Sequence, residues 1–198
     1  MVLGCAGLVV AHPGALVVTV AAGRPGPHPL TDWDRACGFV DGDDVVGARR
    51  DEDQAALGCF GARPQWLAYL DCQYAPVASH FEVADAIDCV LSQRRADHVA
   101  MPLGLSHPDH VMTAAACRHV ARRKPGLGWI VYEDVIYRRL VAERTAESFT
   151  LRDLAVPLVD IARKRQAIER YPSQLMGLRD LWLDALEPER YWMLETSG

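Results

Sequence analysis

His107-Pro108-Asp109-His110 places two imidazoles and a carboxylate within four residues. Imidazole nitrogens and carboxylate oxygens are the donors that zinc and similar cations take, and the same groups serve as general acids and bases. The tetrapeptide follows His98-Val99-Ala100-Met101-Pro102-Leu103, which reads as a buried strand, and it precedes an alanine-rich stretch that reads as a helix. Polar ligands at the C-terminal mouth of a strand in an α/β sheet stand where catalytic metals and substrates bind. On residue types alone a second reading stays open: a capped loop in which Asp109 caps a helix beginning near Val111.

The elements that must position this group follow from hydrophobic patterning. Residues 3–11 form a small-residue, apolar helix candidate, and Leu16-Val17-Val18-Thr19-Val20 is a continuous β-branched run expected to be a buried parallel strand. Residues 23–29, rich in Gly and Pro, are a loop. Residues 43–59 give an amphipathic helix with Arg49, Arg50, Glu52 and Asp53 on its polar side. Trp66 to Leu70 is a short strand ending at Asp71, and residues 81–95 are a helix. After the His98–Leu103 strand, residues 111–124 are helical until Pro125-Gly126, and Trp129 to Tyr132 is a further strand ending in Glu133-Asp134. Residues 158–186 carry a long charged helical pattern. This alternation predicts an α/β fold with a Rossmann-like, doubly wound, mainly parallel sheet flanked by helices.

A chain of 198 residues suits one domain, here 1–198, with 158–198 as a helical C-terminal extension. A net charge of −5 argues against a nucleic-acid partner, which a basic patch would attract. No apolar stretch reaches the ~18 residues of a membrane span. Met1-Val2-Leu3-Gly4-Cys5 imitates a lipoprotein cleavage box but has no basic and apolar region before it. Six scattered cysteines without a CxxC pair are expected to be buried free thiols of a cytoplasmic protein.

Several segments together resemble the PIG-L/LmbE family of metal-dependent N-deacetylases. They are Leu3-Gly4-Cys5-Ala6-Gly7; Arg49-Arg50-Asp51-Glu52 with Gly61; Asp71-Cys72-Gln73-Tyr74; and Pro102-Leu103-Gly104 with His107-Pro108-Asp109-His110. Tyr132-Glu133-Asp134 with Tyr137, and a tail holding Lys164, Tyr171 and Glu189-Arg190-Tyr191-Trp192, continue the series in order. The resemblance implies removal of an N-acetyl group from a small amino-sugar substrate, such as an N-acetylglucosamine derivative, with Zn2+ as cofactor. It also implies His110 as a metal ligand, His107 as the electrostatic stabiliser or acid, and Asp109 as the residue that orients a neighbouring imidazole. Arg49 and Asp71 become substrate-binding candidates. On charge pattern alone Arg49 is more often a merely solvated residue, and Asp71 is equally a turn cap. Glu133 and Asp134 read as structural or rim residues.

The chain also departs from the family. The family's His-Pro-Asp-Asp motif, with two metal ligands and the general base, has no counterpart, and the strand before it would precede Met1. The first strand is therefore expected to be missing and the start truncated, with impaired activity. Ala11-His12-Pro13 imitates that motif, but Gly14-Ala15 replaces both acids. The competing reading is a non-catalytic sugar-binding module of the same fold. A nucleotide-binding role is disfavoured, since neither Gly4-Cys5-Ala6-Gly7 nor Gly23-Arg24-Pro25-Gly26 supplies a GxGxxG turn.

Overall fold

A computed structural model describes residues 4–140 and 150–195. Leu3 of the first helix candidate, and most of the imitation cleavage box, lie outside them. The element order is α1 (Ala6–Ala11), β1 (Leu16–Ala21), α2 (Asp32–Ala36), α3 (Val45–Gly58), β2 (Arg63–Tyr69), α4 (His80–Ser92), β3 (His98–Pro102), α5 (Pro108–Arg123) and β4 (Gly128–Tyr132). A 3-10 helix, Val135–Leu140, follows, then β5 (Leu151–Asp153), α6 (Ile161–Ile168), α7 (Pro172–Leu178), a second 3-10 helix (Arg179–Leu186) and β6 (Tyr191–Leu194).

Strand pairing gives two sheets. β1 and β2 form a parallel pair, and the second sheet runs β3-β4-β6-β5. β3 and β4 are parallel, whereas β6 is antiparallel to both β4 and β5. The expected parallel character therefore holds for the first strands only, because the tail returns through β6 as an antiparallel strand. The β1 run is parallel as expected, but of its residues only Val20 is buried.

The two sheets share their helical layers, and the side-chain alternation of a strand shows this. In β4, Trp129 and Val131 join a core with Val83 and Ile87 of α4 and Met112, Cys117 and Val120 of α5. Val20 of β1 and Leu67 and Tyr69 of β2 enter the same core. The alternate β4 residues Ile130 and Tyr132 meet Leu8 of α1 on the opposite face. Val17 of β1 likewise packs with Ala6 and Val9 of α1, Leu57 of α3 and Ala167 of α6. Helices α4 and α5 thus cover one face of both sheets, and α1 spans the other. That is the α/β layering expected from the sequence.

The long helix expected over 158–186 is broken into pieces. Pro172 cannot continue the ladder from α6 and instead opens α7 at its first turn. Arg179, at φ 52°, then ends α7 in the left-handed region. The helix α2 was missed because it is only five residues long. Its signal was present: Thr31 accepts from Asp34 N while Asp34 accepts from Thr31 N, a reciprocal capping box.

Buried polar groups fasten the tail to the body. Lys164 Nζ lies 2.7 Å from Glu189 Oε1, and both side chains are almost wholly buried. The same carboxylate accepts from Ala6 N at 2.9 Å and Gly7 N at 2.8 Å, satisfying the first amides of α1. Tyr191 also donates its hydroxyl to Glu189. Farther along, Asp53 accepts from Tyr171 Oη at 2.8 Å and Trp66 Nε1 at 3.0 Å. All six cysteines are free, but only Cys37 and Cys117 are buried, fewer than expected. Among the described residues no helix is long and apolar enough to cross a membrane.

Candidate functional site

The parallel register of β3 and β4 sets Pro102 beside Tyr132. Their C-terminal extensions therefore leave the sheet side by side. Leu103 N still donates to Tyr132 O at 2.8 Å. Gly104 then turns the chain at φ +89°, where a Cβ would also stand 2.8 Å from Ala114 Cβ of α5. The turn points Gly104 N and Leu105 N at Asp134 Oδ2, each at 2.8 Å. Asp134 Oδ1 meets His110 Nδ1 at 2.5 Å, with the carboxylate fully buried and the imidazole 38% exposed.

Asp134 is the residue that sequence reading underrated. Its two oxygens tie the β3 turn to the first turn of α5 and fix the His110 ring. A carboxylate at Nδ1 keeps the proton there and leaves Nε2 with its lone pair, the form in which imidazole binds a cation. The available signal was its place two residues beyond a strand end, next to the strand that carries the His-Pro-Asp-His group.

The tetrapeptide is not a loop. α5 starts at Pro108, three residues earlier than expected, and His107 is its N-cap residue at φ −67°, ψ 128°. Proline holds its predecessor extended and has no amide to waste at the first helical position. Asp109 does not cap the helix. Its Oδ2 instead accepts from Cys72 N at 3.1 Å, in the turn beyond β2. His107 Nδ1 lies 4.0 Å from that same oxygen.

Tyr137, on the first 3-10 helix, forms a wall against both imidazoles. Its ring stacks on His107 at 5.6 Å and meets His110 edge-on at 5.2 Å, while the two imidazoles lie 5.5 Å apart. Burial, with Asp134 next in effect, pushes the Tyr137 hydroxyl up to about 12. Burial and then the neighbouring His110 hold the His107 imidazole below its usual range, against the pull of Asp109, Asp71 and Asp134. Burial, then Asp109 and Asp71, push the Cys72 thiol up to about 12.

Asp71 follows β2, and its Oδ1 accepts from Gln73 N at 3.0 Å, an Asx turn. Its charge is felt at His107, Cys72 and Tyr137, which puts it on the same side of the molecule as the imidazoles. Arg49 on α3 is 17% exposed and pairs with the fully buried Asp34 at 3.0 Å. Tyr74 Oη donates to Asp34 Oδ1 at 3.0 Å and accepts from Arg49 Nη1 at 3.3 Å. His12 caps the end of α1, four residues before β1 begins at Leu16, and so lies at the amino end of that strand.

His110 Nε2, backed by a buried carboxylate, suits a divalent cation. Among the described residues, the donors that cluster tightly enough for a metal are Cys72, His107 and Asp109, with ligand atoms within 4.8 Å of one another; His110 is not in that group.

No protein-family profile matches the chain, and no curated protein matches it in sequence. Solved structures do match. A triple mutant of a deacetylase involved in the teicoplanin biosynthetic pathway has 25% identity and a TM-score of 0.83, over 99% of this chain and 93% of that one. The zinc-inhibited form of teicoplanin deacetylase has 23% identity and a TM-score of 0.83, over 99% and 94%. An N,N'-diacetylchitobiose deacetylase from Pyrococcus horikoshii has 20% identity and a TM-score of 0.55, over 87% and 66%. The chain has the fold of these deacetylases.

Proposed function

We propose that the protein is a zinc-dependent hydrolase that removes an N-acetyl group from a small amino-sugar-type substrate. The Asp134–His110 pair carries this reading, because it prepares one imidazole nitrogen for a cation at the carboxyl end of parallel strands. The deacetylase fold of the neighbours supports it.

In this reading His110 holds the metal through Nε2. When bound, zinc supplies a polarised amide carbonyl and an acidified water. His107 stands 5.5 Å away, ring to ring, and is suited to stabilise the developing oxyanion or to protonate the departing amine. Its lowered proton affinity makes it a ready proton donor once charged. Asp109, whose Oδ2 lies 4.0 Å from His107 Nδ1 in the same helical turn, would orient that ring once the two close to hydrogen-bonding distance. Asp71 and Arg49 contact sugar hydroxyls at the rim; for Arg49 this means sharing a guanidinium already paired with Asp34. Residues 1–198 act as one domain, with the tail built into the sheet through β6. Six free thiols suit a reducing cytoplasm.

Purified protein supplied with zinc is expected to release acetate from an N-acetylglucosamine derivative. His110→Ala should lower that rate by at least about a hundredfold, the scale of losing one catalytic donor or ligand. Acetate release at the wild-type rate by His110→Ala protein would remove the proposal.

One observation favours a second reading, a sugar-binding module without catalysis. His110 is absent from the only tight donor group among the described residues. Sugar binding by the zinc-supplied protein without any acetate release would select it.

A further inference from the structure

The turn beyond β2 and the start of α5 bring together a thiol, an imidazole and a carboxylate. Cys72, His107 and Asp109 each offer a ligand atom, and these atoms lie within 4.8 Å of one another. Zinc bound by sulfur, nitrogen and oxygen at ~2.0–2.3 Å in tetrahedral geometry needs its ligands ~3.3–3.8 Å apart. Closing the cluster therefore takes side-chain movements of about 1 Å.

A second observation points to a ligand here. Asp109 is 7% exposed, and its Oδ1 is buried with no hydrogen-bond partner. His107 Nδ1 is likewise buried and unbonded. Buried polar atoms are rarely left so, and two in one cluster, on residue types that ligate metals, point to a missing ligand there. The backbone is already braced for it, since Cys72 N donates to Asp109 Oδ2.

We infer that Cys72, His107 and Asp109 form a second cation site, selective for a thiophilic divalent ion and separate from the nitrogen that His110 presents. On binding, the Cys72 sulfur loses its proton to solvent and donates the freed electron pair to the ion. His107 donates a ring-nitrogen lone pair and Asp109 a carboxylate oxygen, so an ion held here takes both residues out of the proton-donating and ring-orienting roles proposed for them above. A fourth position is left for water or another small ligand. Soft sulfur among harder donors favours zinc, cobalt and cadmium over magnesium and calcium. The site also has a mechanical consequence. Cys72 follows β2 of the parallel pair, whereas His107 and Asp109 follow β3 of the four-stranded sheet. An ion held there fastens together two sheets that share no strand ladder. This inference stands on the cluster itself and does not depend on deacetylase activity.

Cobalt titration of the full chain tests it. Wild-type protein is expected to show a near-ultraviolet thiolate-to-cobalt charge-transfer band and a raised unfolding temperature on adding cobalt or zinc. Cys72→Ser, a near-isosteric change whose fold can be checked by circular dichroism, should lose the band and bind at least about tenfold more weakly, the minimum seen even for outer partners of a metal site. His107→Gln should weaken binding similarly, while His110→Ala should retain the band. The inference is overturned if wild type gives no band, if Cys72→Ser keeps it, or if His110→Ala abolishes it.

Discussion

Asp134→Asn is expected to cut metal affinity by about 10–100-fold while leaving the fold in place. The wild-type carboxylate accepts on both oxygens: Oδ2 from the Gly104 and Leu105 amides, Oδ1 from His110 Nδ1. An asparagine keeps the two amides by leaving its carbonyl at the Oδ2 position. Its NH2 group then faces His110 Nδ1 and donates to it, so the imidazole proton moves to Nε2, the nitrogen meant for the cation. Competition with a metal-sensitive dye would measure the loss. Asp134→Ala goes further and orphans the buried Leu105 amide and the half-buried Gly104 amide, so it should destabilise the protein by at least the ~1–3 kcal/mol of one buried donor. Unchanged affinity in Asp134→Asn would mean that His110 does not bind metal through Nε2.

Glu189→Ala should be the most destabilising single change in the tail. It leaves Lys164, 2% exposed, as an uncompensated buried ammonium, and it strips the acceptor from Ala6 N and Gly7 N. Breaking a buried ion pair from one side costs about 3–5 kcal/mol, a large part of the 5–15 kcal/mol that holds a typical domain. For a chain of this size each kcal/mol lowers the unfolding temperature by about 2–4 °C, so a fall of roughly 6–20 °C is expected by calorimetry. Lys164→Met combined with Glu189→Gln should recover part of that loss, because no charge is then stranded. If the double variant is no better than Glu189→Ala, the buried ammonium is not the cause.

The layers of the fold were legible because the strands from Leu16 to Tyr132 are short apolar runs, and those up to Pro102 are each followed by an α-helix before the next strand. The tail was not. Its charged, helix-like pattern over 158–186 is interrupted by a proline and by a left-handed arginine, and a pattern sum hides both. β6 was invisible for another reason: Tyr191 to Leu194 is four residues long, and its pairing with β4 is set by tertiary contact. At the site, His107, Asp109 and His110 announce themselves by type and spacing. Asp134 does not, since a carboxylate after a strand is common, and only the register of β3 against β4 brings it to His110. Cys72 was equally silent, because its proximity to Asp109 depends on how the β2 turn packs against α5.

The most direct test of the account is a zinc titration of protein carrying 15N in its imidazoles, followed by long-range proton–nitrogen correlation. The account predicts that the His110 Nε2 resonance shifts to that of a metal-bound nitrogen, while Nδ1 remains a protonated donor to Asp134. A His110 ring whose two nitrogens are unmoved by saturating zinc would contradict it.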